Sequence, residues 1–176
     1  MAKKKMERTA ATRLPGKKVS ESRSEMVEVV LPNDANPLGA MLGGRVMHLM
    51  DIAGALAAHR HSNSYVVTAA VDYVDFRSAV QIGDLIVLKS SVNRVFNTSM
   101  EVGVKIFVEN YLTKETRHTS SAYLTFVAID AQKRPIQVPP VIPETAEDRR
   151  RYREAEIRRK IRLAQRKGRI SESRRG

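Results

Sequence analysis

The segment that most constrains this chain is Gly43 to His61, GGRVMHLMDIAGALAAHRH. After two glycines, apolar residues stand on nearly every side of the helix that this spacing predicts: Val46, Met47, Leu49, Met50, Ile52, Ala53, Ala55, Leu56 and Ala57. A helix apolar all round is a buried helix, so the rest of the chain has to surround it. In its middle stands one acid, Asp51. A buried carboxylate is costly unless paired or protonated, and its presence asks for a reason.

The surroundings are strands. EMVEVVLP, 25–32, predicts a short strand closed by proline, and NDANPLGAMLGG, rich in Asn, Pro and Gly, a loop. Four long stretches follow the helix, at 64–77, 84–96, 98–110 and 117–130, each rich in Val, Ile, Thr, Tyr or Phe. The links between them are short enough for antiparallel neighbours. A strand, a helix and then a run of strands predict an α+β architecture, one helix packed on an antiparallel sheet. A lone sheet cannot cover a helix with so many apolar sides. A second copy of the domain is the simplest cover.

The net charge of +12 suggests a nucleic-acid partner until it is located. Residues 1–24 carry +6 and residues 144–176 carry +7, whereas 25–143 sum to −1. The chain therefore divides into a basic, mobile N-terminal arm (1–24), a near-neutral globular domain (25–143) and a basic C-terminal helix (144–176). In that helix Glu147–Arg151, Glu154–Arg158 and Glu156–Lys160 stand at i, i+4. Ile157, Ile161 and Ala164 form a thin apolar stripe, by which an otherwise exposed helix would rest weakly on the body or a neighbour. The tails offer almost no aromatics for stacking on bases, so nucleic-acid binding is not the expected main role. There is no cysteine, hence no disulfide framework and no thiolate chemistry. No apolar run reaches membrane-spanning length and no secretory signal opens the chain. A cytoplasmic location is expected.

Gly43 and Gly44 leave free backbone N–H groups at a helix start, beside the positive end of its dipole. Such a place can hold an anion, or the oxyanion that develops when a carbonyl is attacked. A simple tight turn would use the same residues. Asp51 lies seven residues after Gly44, roughly 10 Å along the axis, so it cannot easily serve its own helix start. It could serve that of a facing copy in a two-fold dimer, or be a structural acid. Asn36, in the loop before the glycines, could orient water or a carbonyl, or only shape the turn. His48, His59, His61 and His118 lack metal spacing and read as bystanders. No metal site, nucleophile elbow or phosphate-binding glycine loop is present.

DANPLGAMLGGRVMHLMDIAGALAA, VVTAAVDYVDFRSAVQIGDLIVLKSSV, TSMEV and AYLTFVAIDAQKRPIQVP, in that order from about Met26 to Pro139, resemble the hotdog-fold acyl-CoA thioesterases. More narrowly they resemble the brain-type acyl-CoA hydrolase and its bacterial relatives. The resemblance implies a long central helix wrapped by a curved antiparallel sheet, dimers joined sheet edge to sheet edge, and trimers of such dimers. It implies hydrolysis of acyl-CoA to fatty acid and CoA, with CoA as part of the substrate and no separate cofactor. It assigns Asp51 as the acid that activates water or attacks the thioester, Asn36 of the opposite subunit as a positioning group, and the Gly44 N–H, helped by Gly43, as the oxyanion hole. It places the CoA nucleotide near Thr98 and Ser99, with Arg94 and Lys133 or Arg134 at its phosphates. Where the family usually has glycine before Thr-Ser, this chain has Asn97. Met41 and Leu42 stand where the acyl pocket would be shaped. A non-catalytic acyl-CoA sensor is the second reading; the joint presence of Asp51, Asn36, Gly43 and Gly44 favours the hydrolase.

Overall fold

The computed structural model describes residues 14–110 and 112–173. Alternating inward residues on the strands build the floor of the core. A five-stranded antiparallel sheet has the order β2-β4-β5-β6-β3, from β2 (Ser24–Val29), β3 (Tyr65–Phe76), β4 (Leu85–Phe96), β5 (Ser99–Glu109) and β6 (Thr116–Ile129). On β5, Met100, Val102, Val104 and Ile106 face inward and are at most 1% exposed. Helix α2 (Gly43–Ser62) lies on that face and buries Leu49, Met50, Ala53 and Ala57 against it. It stops at Asn63, whose φ of 51° lets its N–H return to the His59 carbonyl at 2.8 Å.

Gly54 sets how closely α2 approaches the sheet. A Cβ there would meet the Phe126 ring at 2.9 Å, and that ring is only 1% exposed and has nowhere to go. Gly54→Val is therefore expected to lower stability by about 1–3 kcal/mol through overpacking, read as a drop in the urea midpoint without a change in slope.

The sheet order corrects one expectation. The segment 77–84 does not join neighbours; it carries the chain from one edge strand, β3, towards β4 across the sheet. The crossing is held by the loop before α2: the Met41 N–H donates to the Val80 carbonyl at 2.8 Å and the Ile82 N–H to Gly39 at 3.1 Å. Those backbone bonds, made between residues about 40 apart, override the preference for short links to join adjacent strands. At the turn between β4 and β5, Asn97 adopts φ 74°. Asn is the side chain that best tolerates this region after glycine, so the turn forms without one.

The arm expected over 1–24 is not uniform. Residues 1–13 lie outside the described residues. Residues 17–24 are packed: β1 (Lys17–Lys18) runs parallel to β7 (Val141–Ile142), and α1 (Val19–Ser22) buries Val19 to 3% exposure. Ser22 accepts the Val92 N–H at 3.0 Å and donates to Val19 at 2.7 Å. One apolar side chain and one buried hydroxyl in a basic stretch leave no periodic signal, yet both are satisfied only against the body.

His61, near the end of α2, is fully buried, and its Nε2 lies 2.9 Å from the Pro139 carbonyl. Burial pushes its pKa below the ordinary 6.5. It is a core histidine with a stability consequence. The unfolded chain takes up this proton near pH 6.5 and the folded chain only at lower pH, so the contribution is present above about pH 6.5 and is lost as pH falls through the folded value. Urea unfolding measured from pH 7.5 downward should show stability falling in this window, and His61→Gln should flatten the slope.

Helix α3 (Ala146–Ser173) crosses the outer face of the sheet. It starts with a reciprocal cap: the Asp148 N–H donates to Thr145 Oγ1 and the Thr145 N–H to Asp148 Oδ2, both at 3.0 Å. The three i, i+4 pairs form as expected. The docking face is another matter. Ile157 and Ile161 are 58% and 53% exposed, and Ala164 is exposed too. The helix is held instead by Ala155, fully buried, and by charge. Arg158 makes two hydrogen bonds, at 2.7 and 3.0 Å, to Glu101, which is 1% exposed and also accepts from Asn93. Arg158 further lies 3.6 Å over the Tyr123 ring, and Arg162 pairs with Asp72 of β3. A thin apolar stripe buries too little surface to compete with bidentate pairs in a partly dry setting.

Candidate active site

The N-terminus of α2 has no side-chain cap. Arg45 and Val46 donate back to the Leu42 carbonyl, at 2.9 and 3.0 Å. The N–H groups of Gly43 and Gly44 donate to nothing among the described residues. At Gly44 a Cβ would meet no atom within 4 Å, and at Gly43 it would only touch the Phe76 ring at 3.8 Å. Two donors without a partner among the described residues thus stand at the positive end of a 20-residue helix. The cleft at Gly43, about 470 Å³, is lined by Asn36, Met41, Gly43, Phe76, Val80 and Ser120.

Asn36 does two things at once. Its Oδ1 accepts from the Leu38 and Ala40 N–H groups at 2.9 and 3.2 Å, which fixes the loop. Its amide nitrogen has no partner among the described residues, and it stands in the cleft wall as a pre-oriented donor. The turn chemistry expected from sequence thus falls on the oxygen and leaves the nitrogen free of hydrogen bonds among the described residues.

Asp51 does not line this cleft; it sits two turns further along α2, half-buried. Its Oδ1 accepts the Thr68 hydroxyl proton at 2.5 Å, and its other oxygen makes no hydrogen bond among the described residues. Thr68 has no role in the sequence reading. The only local signal is a hydroxyl within the apolar run 66–71, and which way it points depends on the register break just after it, between Thr68 and Ala70.

The surface around this pair is open and apolar. Met47 and Leu56 of α2 are 46% and 43% exposed. The unpaired edge strand β3 shows Tyr65, Val67, Val71 and Tyr73 to solvent, all more than two-fifths exposed. A long apolar edge of this kind invites strand pairing with another chain.

Of the residues expected at CoA, Thr98, Ser99, Lys133 and Arg134 come to one end of the sheet. The Thr98 carbonyl accepts the Ala128 N–H at 3.0 Å, and the turn Asp130–Arg134 follows directly, with Arg134 bonded to Asp130 at 2.9 Å. Arg94 does not join them. Its guanidinium pairs with Glu156 and stacks on Tyr152 at 4.2 Å, so its charge is taken up by α3. Among the described residues no cluster of three His, Asp or Glu could hold a metal ion, and no helix is long and apolar enough to cross a membrane.

Residues 38–113 match the family described as the thioesterase superfamily. Over 146 residues the chain is 42% identical to acyl-coenzyme A thioesterase 11 of Mus musculus, covering 81% of this chain but only 24% of that longer protein. It is 38% identical to an uncharacterized acyl-CoA thioester hydrolase of Bacillus subtilis, covering 73% of this chain and 74% of the relative. Among solved structures, an acyl-CoA hydrolase of Staphylococcus aureus, in complex with butyryl coenzyme A, coenzyme A and coenzyme A disulfide, superposes with a TM-score of 0.84 at 34% identity, over 89% of this chain and 96% of that one. Three further structures of that hydrolase each carry one alanine replacement, at an aspartate, an asparagine and a threonine. An apo-hexameric acyl-CoA thioesterase also superposes at 0.84, with 40% identity over 86% and 97% of the two chains. The chain belongs to the thioesterase superfamily, among its hotdog-fold acyl-CoA thioesterases.

Proposed function

We propose that this chain hydrolyses acyl-CoA to a free fatty acid and CoA at sites shared between two copies. The reading rests above all on the Asp51–Thr68 hydrogen bond, set beside the residues replaced in the S. aureus hydrolase. There the asparagine lies 15 residues before the aspartate and the threonine 17 after it; Asn36, Asp51 and Thr68 repeat both spacings.

A thioester carbonyl is less resonance-stabilised than an ester carbonyl, so a water activated by a carboxylate suffices without a serine nucleophile. Thr68 holds one oxygen of Asp51, leaving the other to take a proton from water as its oxygen adds to the thioester carbon. The carbonyl oxygen becomes an oxyanion, met by the Gly44 N–H with help from Gly43 of the facing copy. The Asn36 amide N–H steadies substrate or water. Collapse of the tetrahedral intermediate breaks the C–S bond, and the proton held by Asp51 goes to the departing CoA sulfur. The carboxylate is regenerated.

Because Gly44 and Asp51 of one helix are about 10 Å apart, the site is complete only when two α2 helices run antiparallel. The exposed β3 edges would join the two sheets, and the hexameric relative supports a larger assembly of such dimers. Thr98, Ser99, Lys133 and Arg134 are the proposed contacts of the CoA nucleotide. The test is release of free thiol from a panel of acyl-CoAs, short to long, together with the mass of the assembly in solution. Release from part of the panel by an oligomer supports the reading. Binding of acyl-CoA without release at any chain length would leave a sensor.

A further inference from the structure

Strands β2, β4 and β5, the start of α3 and Arg60 near the end of α2 enclose a second, larger cleft of about 680 Å³. It shares no lining residue with the cleft at Asn36 and Gly43. Five of its lining side chains are basic and three acidic. Most of the basic ones are engaged: Arg23 with Asp148 at 3.9 Å, Lys89 with Glu25 at 3.3 Å, Arg151 with Glu147 at 2.8 Å, and Arg60 with a backbone carbonyl.

Lys105 is the exception. It has no salt bridge or hydrogen bond among the described residues, although it is half-buried. Its direct cross-strand partner on β4 is another lysine, Lys89. Like charges directly opposite on a sheet are destabilising. Burial, and after it the positive charge of Arg151, push the Lys105 ammonium below the ordinary lysine range. Two residues along β4, Ser91 faces the same cleft, is 7% exposed and makes no side-chain hydrogen bond among the described residues. A cation without an ion pair, a like-charged neighbour and a hydroxyl without a protein partner meet in one concavity. Each would be relieved by the same thing, a multiply charged anion with acceptor oxygens.

We propose that this cleft binds a phosphate-bearing anion, with Lys105, Lys89 and Arg151 balancing its charge and the Ser91 hydroxyl donating to it. The anion has at least two charges, matching the excess of basic over acidic lining groups. The cleft is large enough for a nucleotide-sized molecule, and Phe107, with the Lys89 ammonium 5.9 Å from its ring centre, forms an apolar wall. The site stands independently of the hydrolysis reading.

The experiment is calorimetric titration of pyrophosphate into the full chain at fixed low salt. Wild type should bind one equivalent per chain. Lys105→Gln should weaken binding by about tenfold or more, and Ser91→Ala, which cannot disturb a hydrogen bond, should weaken it less. Lys160→Gln removes the same charge from an exposed part of α3 and should change nothing. No binding by wild type, or equal losses in Lys105→Gln and Lys160→Gln, overturns the site and leaves a merely basic surface. The source is read from kinetics. A raised KM for acyl-CoA in Lys105→Gln, with pyrophosphate competing, identifies the substrate's own phosphates; an unchanged KM identifies a free phosphate compound.

Discussion

Asp51→Asn is expected to lower kcat for thiol release by about 10²–10⁴, with KM for acyl-CoA little changed. Asn keeps the size of the side chain and an oxygen to accept from Thr68, which donates at 2.5 Å in the native protein. What it loses is the ability to accept a proton from water, and that interaction exists only as the transition state forms. In the proposed mechanism the Asp51 oxygen not bonded to Thr68 is the one that takes the water proton. Folding should be untouched, since the side chain is half-exposed in the single chain and buries no partner. The check is a full kinetic comparison with an unfolding curve beside it. A variant with native stability and native kcat would remove Asp51 from the mechanism, and with it the hydrolysis reading as drawn here.

Gly44→Pro should cost about 10²–10³ in kcat, the usual loss for one oxyanion donor. Proline is tolerated in the first helical turn, where its missing N–H had no helical partner, and nothing lies within 4 Å of the position its Cβ would take. The substitution deletes the donor, but Gly43 before it is helical, a conformation that a following proline disfavours, so an unfolding curve beside the kinetics separates loss of the donor from strain in the first turn. Gly43→Pro is a milder companion, because Leu42 before it is already extended, at φ −62° and ψ 130°. A larger loss at 44 than at 43 would single out Gly44 as the main donor. Mixing inactive Asp51→Asn with inactive Gly44→Pro chains then tests the shared site directly. A mixed dimer has one doubly altered site and one intact site, so random exchange should restore about a quarter of the wild-type rate. No recovery after exchange would mean that Asp51 and Gly44 act within one chain, against the spacing along α2.

Helix α2 was legible because its signal is local. Its apolar residues stand on all sides, two glycines precede its charged and apolar run, and His59 to Asn63 mark the stop; the observed limits, Gly43–Ser62, follow. The four long strands were legible for the same reason, as runs of β-branched and aromatic residues between turn formers. Asp51 and the glycine pair stood out by contrast with their neighbours, one acid among apolar residues and two small residues before a helix. Each of these depends on residues within a few positions of one another.

The rest was decided at longer range. Thr68 reaches Asp51 across 17 positions, and the register break beside it sets its direction. Edge position for β3 came from pairing with β6, while 77–84 was captured by the loop before α2. Arg158 and Glu101, 57 residues apart, fix α3, and the same helix takes up the charge of Arg94. In sequence, Arg and Glu read as solvated surface; only packing shows that one of them is 1% exposed and needs the other. The opposed Lys89 and Lys105 likewise become neighbours only when β4 meets β5. The sequence determined the long helices and strands, because periodicity and turn chemistry act over a few residues. The tertiary structure decided which side chains meet, because a hydrogen bond or ion pair between distant residues forms only where the packed core brings them within about 3 Å.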